Sequence, residues 1–333
     1  MTHLVQLVRN GVRRVALVDE SSLRLLSGGD SVVALAEAAI AAGESLTAFV
    51  ARHVTGESLD YDAIYNGRSE WKLLPAVDHP TEPARCLVSG TGLTHLGSAA
   101  NRAAMHEKTE AELTDSMRMF RMGLAGGRPA PGTIGTAPEW FYKGNGSVLR
   151  AHGEPLVVPP HSDEGGEEPE IAGVYLVDRT GQPWRIGMAI GNEFSDHRFE
   201  KINYLYLAGS KIRNCSLGPE LVVDPDFGSV KGRVEIRRGE ALVWGKDIAT
   251  GEDEMCHNLA NMEHHHFKFD GHRRPGDVHV HYFGTVALSF GDGIELADGD
   301  EMVIQFEGFG RPLRNRLKMS PPLSTPVTVR ALA

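Results

Sequence analysis

From residue 148 onward the chain breaks into short apolar runs separated by Gly, Pro and Asp clusters. That pattern makes the second half mostly strand. Val148-Leu149, Leu156 to Val158, Ile171 to Val177, Ile186 to Ile190, Leu221 to Val223, Val234 to Ile236, Ala241 to Trp244, Val278 to Phe283 and Met302 to Phe306 follow one another at the spacing of an all-β unit. No helical period there is regular enough for βαβ repeats. The 38 glycines suit the many turns this requires.

The first half is mixed. Val5, Leu7 and Val8 lead into Asn10-Gly11, a two-residue turn signal, and then into Val12, Val15 and Leu17, which predicts a hairpin. Gly28-Gly29-Asp30-Ser31 opens a helix, with Asp30 or Ser31 as its cap. Its apolar stripe is Val32, Leu35, Ala39, Ala42, Leu46 and Phe49, weakened at Gly43. The Pro-rich stretch from Trp71 to Pro83 places a boundary near residue 80, giving domains 1–80 and 86–333. Residues 98–122 predict a polar helix with apolar positions at Met105, Leu113, Met117 and Phe120. A Gly/Ala/Pro run from Gly123 to Pro131 ends it. Residues 98–131 are a candidate lid, or a surface helix with its connector.

Lys plus Arg number 34 and Asp plus Glu 44, a net charge of −10, which is not the footprint of a nucleic-acid binder. No run reaches eighteen apolar residues, so no membrane span is expected, and the first residues do not read as a signal peptide. Cys86, Cys215 and Cys256 are too few for a disulfide framework and fit a reducing cytoplasm.

Glu168 and Glu170 are two apart, so on a strand they share a face. Arg179-Thr180-Gly181-Gln182 is a turn, and a hairpin centred between Thr180 and Gly181 pairs residues whose numbers sum to 361. Glu193 then lies opposite Glu168. Three converging carboxylates suit a hard divalent ion such as Mg²⁺. A slip of one residue would turn Glu193 to the other face, and the segment then reads as an acidic, solvated hairpin end. Glu263-His264-His265-His266, with His257, His272, His279 and His281, fits no zinc spacing and reads as structural or interface histidine. There is no G-x-S-x-G elbow and no dinucleotide fingerprint.

Taken together, these stretches resemble the fumarylacetoacetate hydrolase superfamily. Glu168-Pro169-Glu170 is similar to its E-x-E metal motif. Gly191-Asn192-Glu193-Phe194-Ser195 is similar to its N-D-x-S motif, with Glu where the family usually has Asp. Lys211 followed by Leu217-Gly218-Pro219, Pro275-Gly276-Asp277, Gly284-Thr285, Gly299-Asp300 and Glu307-Gly308-Phe309-Gly310 follow in the family's order, and Phe141-Tyr142-Lys143 is similar to its F-x-K segment. The match covers about residues 86–320. The opening residues and Gly90-Thr91-Gly92-Leu93-Thr94-His95 resemble the sugar-catabolic, GguC-like branch, linked to pentose breakdown as 2-keto-3-deoxypentonate dehydratases. After Ser195 the chain reads Asp196-His197-Arg198 where the family commonly reads A-R-D, and no glutamate follows His95 at the lid spacing.

The resemblance implies a β-rich α+β fold, a fumarylacetoacetate-hydrolase-type β-barrel or roll with a small N-terminal α+β domain, commonly dimeric. It implies a Mg²⁺ (or Mn²⁺) ion on Glu168, Glu170 and Glu193 that polarises a 2-oxo acid and stabilises its enolate. His95, His106, Glu107 and Lys211 are the implied candidates for proton transfer. Lys143, Ser195, Gly284 and Thr285 are those for binding the small-molecule substrate. Two reactions follow: dehydration of a 2-keto-3-deoxypentonate to 2-oxoglutarate semialdehyde, or hydrolysis of a C–C bond in an acylpyruvate or 2,4-dioxo sugar acid.

Overall fold

The computed structural model describes residues 1–96 and 114–332. At the centre of its larger sheet is the antiparallel hairpin of Pro169–Val177 and Pro183–Asn192. Val278–Tyr282 adds antiparallel to the first of these strands, Cys86–Gly92 adds parallel to Val278–Tyr282, and Glu139–Asn145 forms the edge. On the other side Leu221–Val223 carries the sheet into Thr2–Arg9, Val12–Asp19, Ser22–Leu26 and Val54–Asp60. A second sheet runs Ala241–Thr250, Val230–Arg238, Glu301–Phe306, Leu313–Met319, Leu156–Val158.

Local chemistry explains the N-terminal elements. Asn10 and Gly11 both take positive φ, 51° and 77°, as a tight two-residue hairpin turn demands. Ser31 is the helix cap, its hydroxyl accepting from the Ala34 amide. The expected single stripe from Val32 to Phe49 is two helices, Val32–Ala42 and Leu46–His53. Gly43 terminates the first in the left-handed conformation, and Ser45 caps the second. Both pack on one face of the large sheet, where Leu35, Ala39, Phe49 and Val50 meet Leu4, Val88, Val174 and Val280. The opposite face, through Ile171, Met188, Ile190 and Phe283, shares a core with Val234, Ile248, Ile304 and Phe306 of the second sheet. No single helix among the described residues is long and apolar enough to cross a membrane.

The second half, expected to be mostly strand, also contains helix the pattern did not single out. Leu259–Phe267 spans nine residues, capped by Asn258, and short turns run over His197–Ile202 and Leu207–Lys211. Segments this short complete too few turns for a period to emerge.

Two irregularities shape the strands that enter the site. In the central hairpin Val174 pairs Gly187 while Tyr175 pairs Arg185, so Ile186 is an extra residue. Near the turn the pairs sum to 360; beyond the bulge they sum to 361, as with Pro169 and Asn192. In the edge strand Val88 pairs Gly144 and Ser89 pairs Tyr142, which leaves Lys143 at a bulge of its own.

Candidate active site

Just past the paired end of the hairpin, the Glu193 amide donates to the Glu168 carbonyl at 3.0 Å, continuing the expected register. Glu168, Glu170 and Glu193 are buried, and one carboxylate oxygen from each lies within 4.8 Å of the others. The Asn192 side chain accepts from the Glu168 amide at 3.1 Å, and the Gly284 amide donates to Glu170 Oε2 at 2.7 Å. The acidic hairpin end is therefore not solvated.

Three cations answer these charges. Lys211 Nζ lies 2.6 Å from Glu168 Oε1, 2.8 Å from Glu193 Oε2 and 3.0 Å from Ser195 Oγ. Lys143 Nζ lies 2.5 Å from Glu193 Oε1 and donates to the carbonyls of Glu193 and Phe194. The His197 ring bridges Glu164 at 2.9 Å and Glu168 at 3.0 Å. Burial opposes charge on all of these groups, and the pairing decides who keeps it. Burial would raise Glu168, but Lys211 and His197 hold it well below the usual carboxylate range. Burial would lower His197, but its two carboxylate bonds push it up to about 10. Glu170, with no cation paired to it among the described residues, is raised well above the usual range by burial and by the charges of Glu193 and Glu168, against Lys211. Burial and Glu168 push Glu193 up to about 7, against Lys143 and Lys211.

A cavity of about 500 Å³ opens over the triad. Glu168, Glu170 and Lys211 line its floor, with Phe141 and Glu139 on one wall and Gly284, Thr285 and Ala287 on another. Glu139, Phe141, Lys143 and Gly144 are the buried residues of the edge strand, while Trp140 and Tyr142 are exposed. The Phe141 ring lies 4.8 Å from Lys211 Nζ. Glu139 Oε2 accepts from the Tyr204 hydroxyl at 2.7 Å, and a Cβ at Gly92 would overlap Oε1. Burial, with the charges of Glu200 and Glu168, raises the Glu139 carboxyl despite Tyr204 and Lys211.

The other expected residues fall as follows. Ser195 is buried and donates to the Glu193 carbonyl at 2.9 Å while accepting from Lys211. All three Lys143 donors are engaged, so it anchors Glu193 rather than reaching into the cavity. The Gly284 amide already serves Glu170, and the Thr285 hydroxyl lies 3.2 Å from the Pro169 carbonyl and 3.0 Å from that of Ala287. His95 is fully buried behind Gly284 and does not line the cavity. His106 and Glu107 lie outside the described residues, as do residues 98–113 of the candidate lid. Its described part, 114–131, contains the helix Asp115–Gly126.

Two residues were not expected. Glu139 sits two positions before the Phe141-Tyr142-Lys143 segment, and period-two spacing was the available signal for it. His197 follows Ser195 by two. The histidine run is structural: His266 Nε2 meets His279 Nδ1 at 2.9 Å, and Ser89 Oγ meets His281 Nδ1 at 2.9 Å, all buried on the face of the sheet that carries Leu259–Phe267.

A strand-rich α+β fold with a buried three-carboxylate centre is the architecture the motif resemblance implied, and solved structures share the fold. The chain is similar to 2-keto-3-deoxy-D-arabinonate dehydratase complexed with magnesium and 2,5-dioxopentanoate, with a TM-score of 0.70, 20% identity, and coverage of 96% of this chain and 99% of that one. A 5-carboxymethyl-2-hydroxymuconate delta-isomerase from Mycobacterium smegmatis shares the fold at a TM-score of 0.55 and 16% identity, over 96% of this chain and 100% of that one. In sequence the chain is 31% identical over 180 residues to a Haloferax volcanii protein described as a probable 2-keto-3-deoxyxylonate dehydratase. That match covers 52% of this chain and 58% of the relative, so it spans little more than half of either. No known family model matches the chain.

Proposed function

We propose that the chain is a Mg²⁺-dependent hydro-lyase that dehydrates a 2-keto-3-deoxypentonate. The observation that carries this is the buried Glu168, Glu170 and Glu193 triad beneath a cavity whose wall presents a fourth carboxyl, Glu139, raised by its burial. The names of the sequence relative and of the solved dehydratase support the substrate class.

The donor set fits a hard cation: three carboxylates, no sulfur and no ligating imidazole among the described residues. Held by Glu168, Glu170 and Glu193, Mg²⁺ (or Mn²⁺) would supply a Lewis acid that makes the C3 proton of a 2-oxo acid easier to remove. Lys211 pairs with Glu168 and Glu193, and Lys143 with Glu193, which aligns these carboxylates. Glu139 handles the proton. As carboxylate it accepts the C3 hydrogen, and as acid it returns that hydrogen to the departing C4 hydroxyl, so that one water leaves. Phe141 and Leu207 shield this step from solvent. As part of the same reading we place the protein in the cytoplasm as a homodimer.

Purified protein reconstituted with Mg²⁺ and given D- and L-2-keto-3-deoxypentonate tests the proposal by mass spectrometry, with an EDTA control. Metal-dependent loss of one water from either isomer is expected. No turnover of either, together with release of pyruvate from a 2,4-dioxo acid, would replace the dehydratase reading with C–C hydrolysis.

A further inference from the structure

His95 was a candidate base on sequence grounds, yet it stands behind the cavity wall, in a hydrogen-bonded line that ends on the triad. Thr94 Oγ1 lies 2.6 Å from the Phe283 carbonyl. A carbonyl only accepts, so the hydroxyl gives its single hydrogen there. Toward His95 Nδ1, at 3.0 Å, the same oxygen must accept, and Nδ1 carries the hydrogen. Burial lowers the His95 ring to about 3, so it is neutral and Nε2 holds a lone pair. The Thr250 hydroxyl, 2.7 Å away, donates to that lone pair. Every donor in the line points the same way, from Thr250 to His95, to Thr94, to the Phe283 carbonyl. The next amide, that of Gly284, donates to Glu170.

The backbone makes this arrangement specific. Gly284 takes φ 102°, and a Cβ there would overlap Thr94 Oγ1 and stand 3.0 Å from the Thr91 carbonyl. Thr250 ends Ala241–Thr250 of the second sheet, while Gly284 follows Val278–Tyr282 of the first. The line therefore joins the two sheets behind the cavity wall.

We propose that His95 is a positioning residue: held as the Nδ1–H tautomer by Thr250 and Thr94, it fixes the Phe283–Gly284 peptide and through it the metal-facing geometry of Glu170. The inference rests on the reading of the triad as a cation site.

Mn²⁺ titration followed by electron paramagnetic resonance, without substrate, measures it. In His95→Asn the amide nitrogen falls near Nδ1 and still donates to Thr94. In His95→Gln the amide reaches toward the Nε2 position and the link to Thr94 is lost. Supporting interactions of metal ligands are worth about 10- to 100-fold in affinity, so H95Q and Thr94→Val are expected to weaken Mn²⁺ binding by that order. H95N is expected to stay within about threefold of wild type on the same scale. T94V changes shape least and carries the test should H95Q fold poorly. Unchanged Mn²⁺ affinity in H95Q and T94V overturns the proposal. So does an H95N protein that binds Mn²⁺ normally but loses turnover at saturating metal, because His95 would then act on substrate. Nitrogen-15 histidine spectra of the metal-free wild type, with the His95 signal assigned by its loss in H95N, read the tautomer directly. An Nε2–H tautomer overturns the line even if the wild type binds no Mn²⁺, an outcome that would count against the cation reading alone.

Discussion

Lys211 Nζ sits 2.6 Å from Glu168 Oε1, at a point where both groups are buried, and the same nitrogen reaches Glu193 Oε2 at 2.8 Å. One ammonium thus ties together two of the three carboxylates that would hold the cation. Removing one partner of a buried pair leaves uncompensated charge, at a cost of roughly 3–5 kcal/mol. Lys211→Met is expected to lower metal-free stability by about that amount, and saturating Mg²⁺ to restore part of it. Denaturant unfolding with and without Mg²⁺ measures both; an unchanged metal-free midpoint would refute the pairing.

Glu170 behaves differently because no cation pairs with it among the described residues. Glu170→Gln keeps an oxygen for the Gly284 amide and removes a charge that its two neighbours repel. We expect the metal-free protein to melt no lower than wild type. The Mg²⁺-induced stabilisation should vanish; for a ligand at a hundred times its dissociation constant that is roughly 2.7 kcal/mol. Thermal scans in EDTA and in Mg²⁺ decide this, and a Mg²⁺ shift that survives in E170Q would remove Glu170 from the site.

Glu139 touches no member of the triad, so its loss should spare the metal. Glu139→Gln is expected to reduce kcat by about 10²- to 10⁴-fold, the usual range for a positioned proton-transfer group, with Mn²⁺ affinity unchanged. Paired kinetics and metal titration check it. Equal loss of both would mean that Glu139 shapes the site instead of moving a proton.

The buried histidines predict an acid limit on stability. Burial, helped by the neighbouring histidines, lowers His279 and His281 to about 3. In the unfolded chain they take up protons near pH 6.5, so between about pH 6.5 and 3 the unfolded state binds more protons than the folded one. Their contribution is fully present above that window and falls as the pH drops through it, by about 1.4 kcal/mol per pH unit for each ring that stays neutral. Urea midpoints at several pH values measure the slope. His281→Gln should flatten it by one ring's share, and an unaltered slope would mean that His281 is not held neutral.

The triad was legible from the sequence because period two and one turn sufficed to place it. The centre assumed for the turn was off by half a residue, and Ile186 corrects the phase before the strand reaches Glu193. A bulge at a buried apolar residue leaves no mark in composition, so agreement at the site rests on a compensation that the pattern does not display. Glu139 was missed for the opposite reason: its meaning depends on Tyr204, Gly92 and Lys211, which lie far from it in sequence. His95 was legible as a residue near the chemistry but not as one facing away from it. Ring orientation follows from Thr94 and Thr250, and the latter is 155 positions distant.

The edge strand carries a consequence for how substrate choice can change. Glu139 and Lys143, four residues apart on one strand, stand at most about 13 Å apart at their Cα atoms, because a strand rises 3.2–3.4 Å per residue. The covalent chain is a ruler, with the Lys143 anchor of Glu193 at one mark and the Glu139 carboxyl at another. Substitution cannot lengthen it, and inserting one residue would turn Glu139 out toward solvent. Descendants acting on longer or shorter acids must therefore resculpt the facing wall, Gly284 to Ala287, while the graduated side stays as it is.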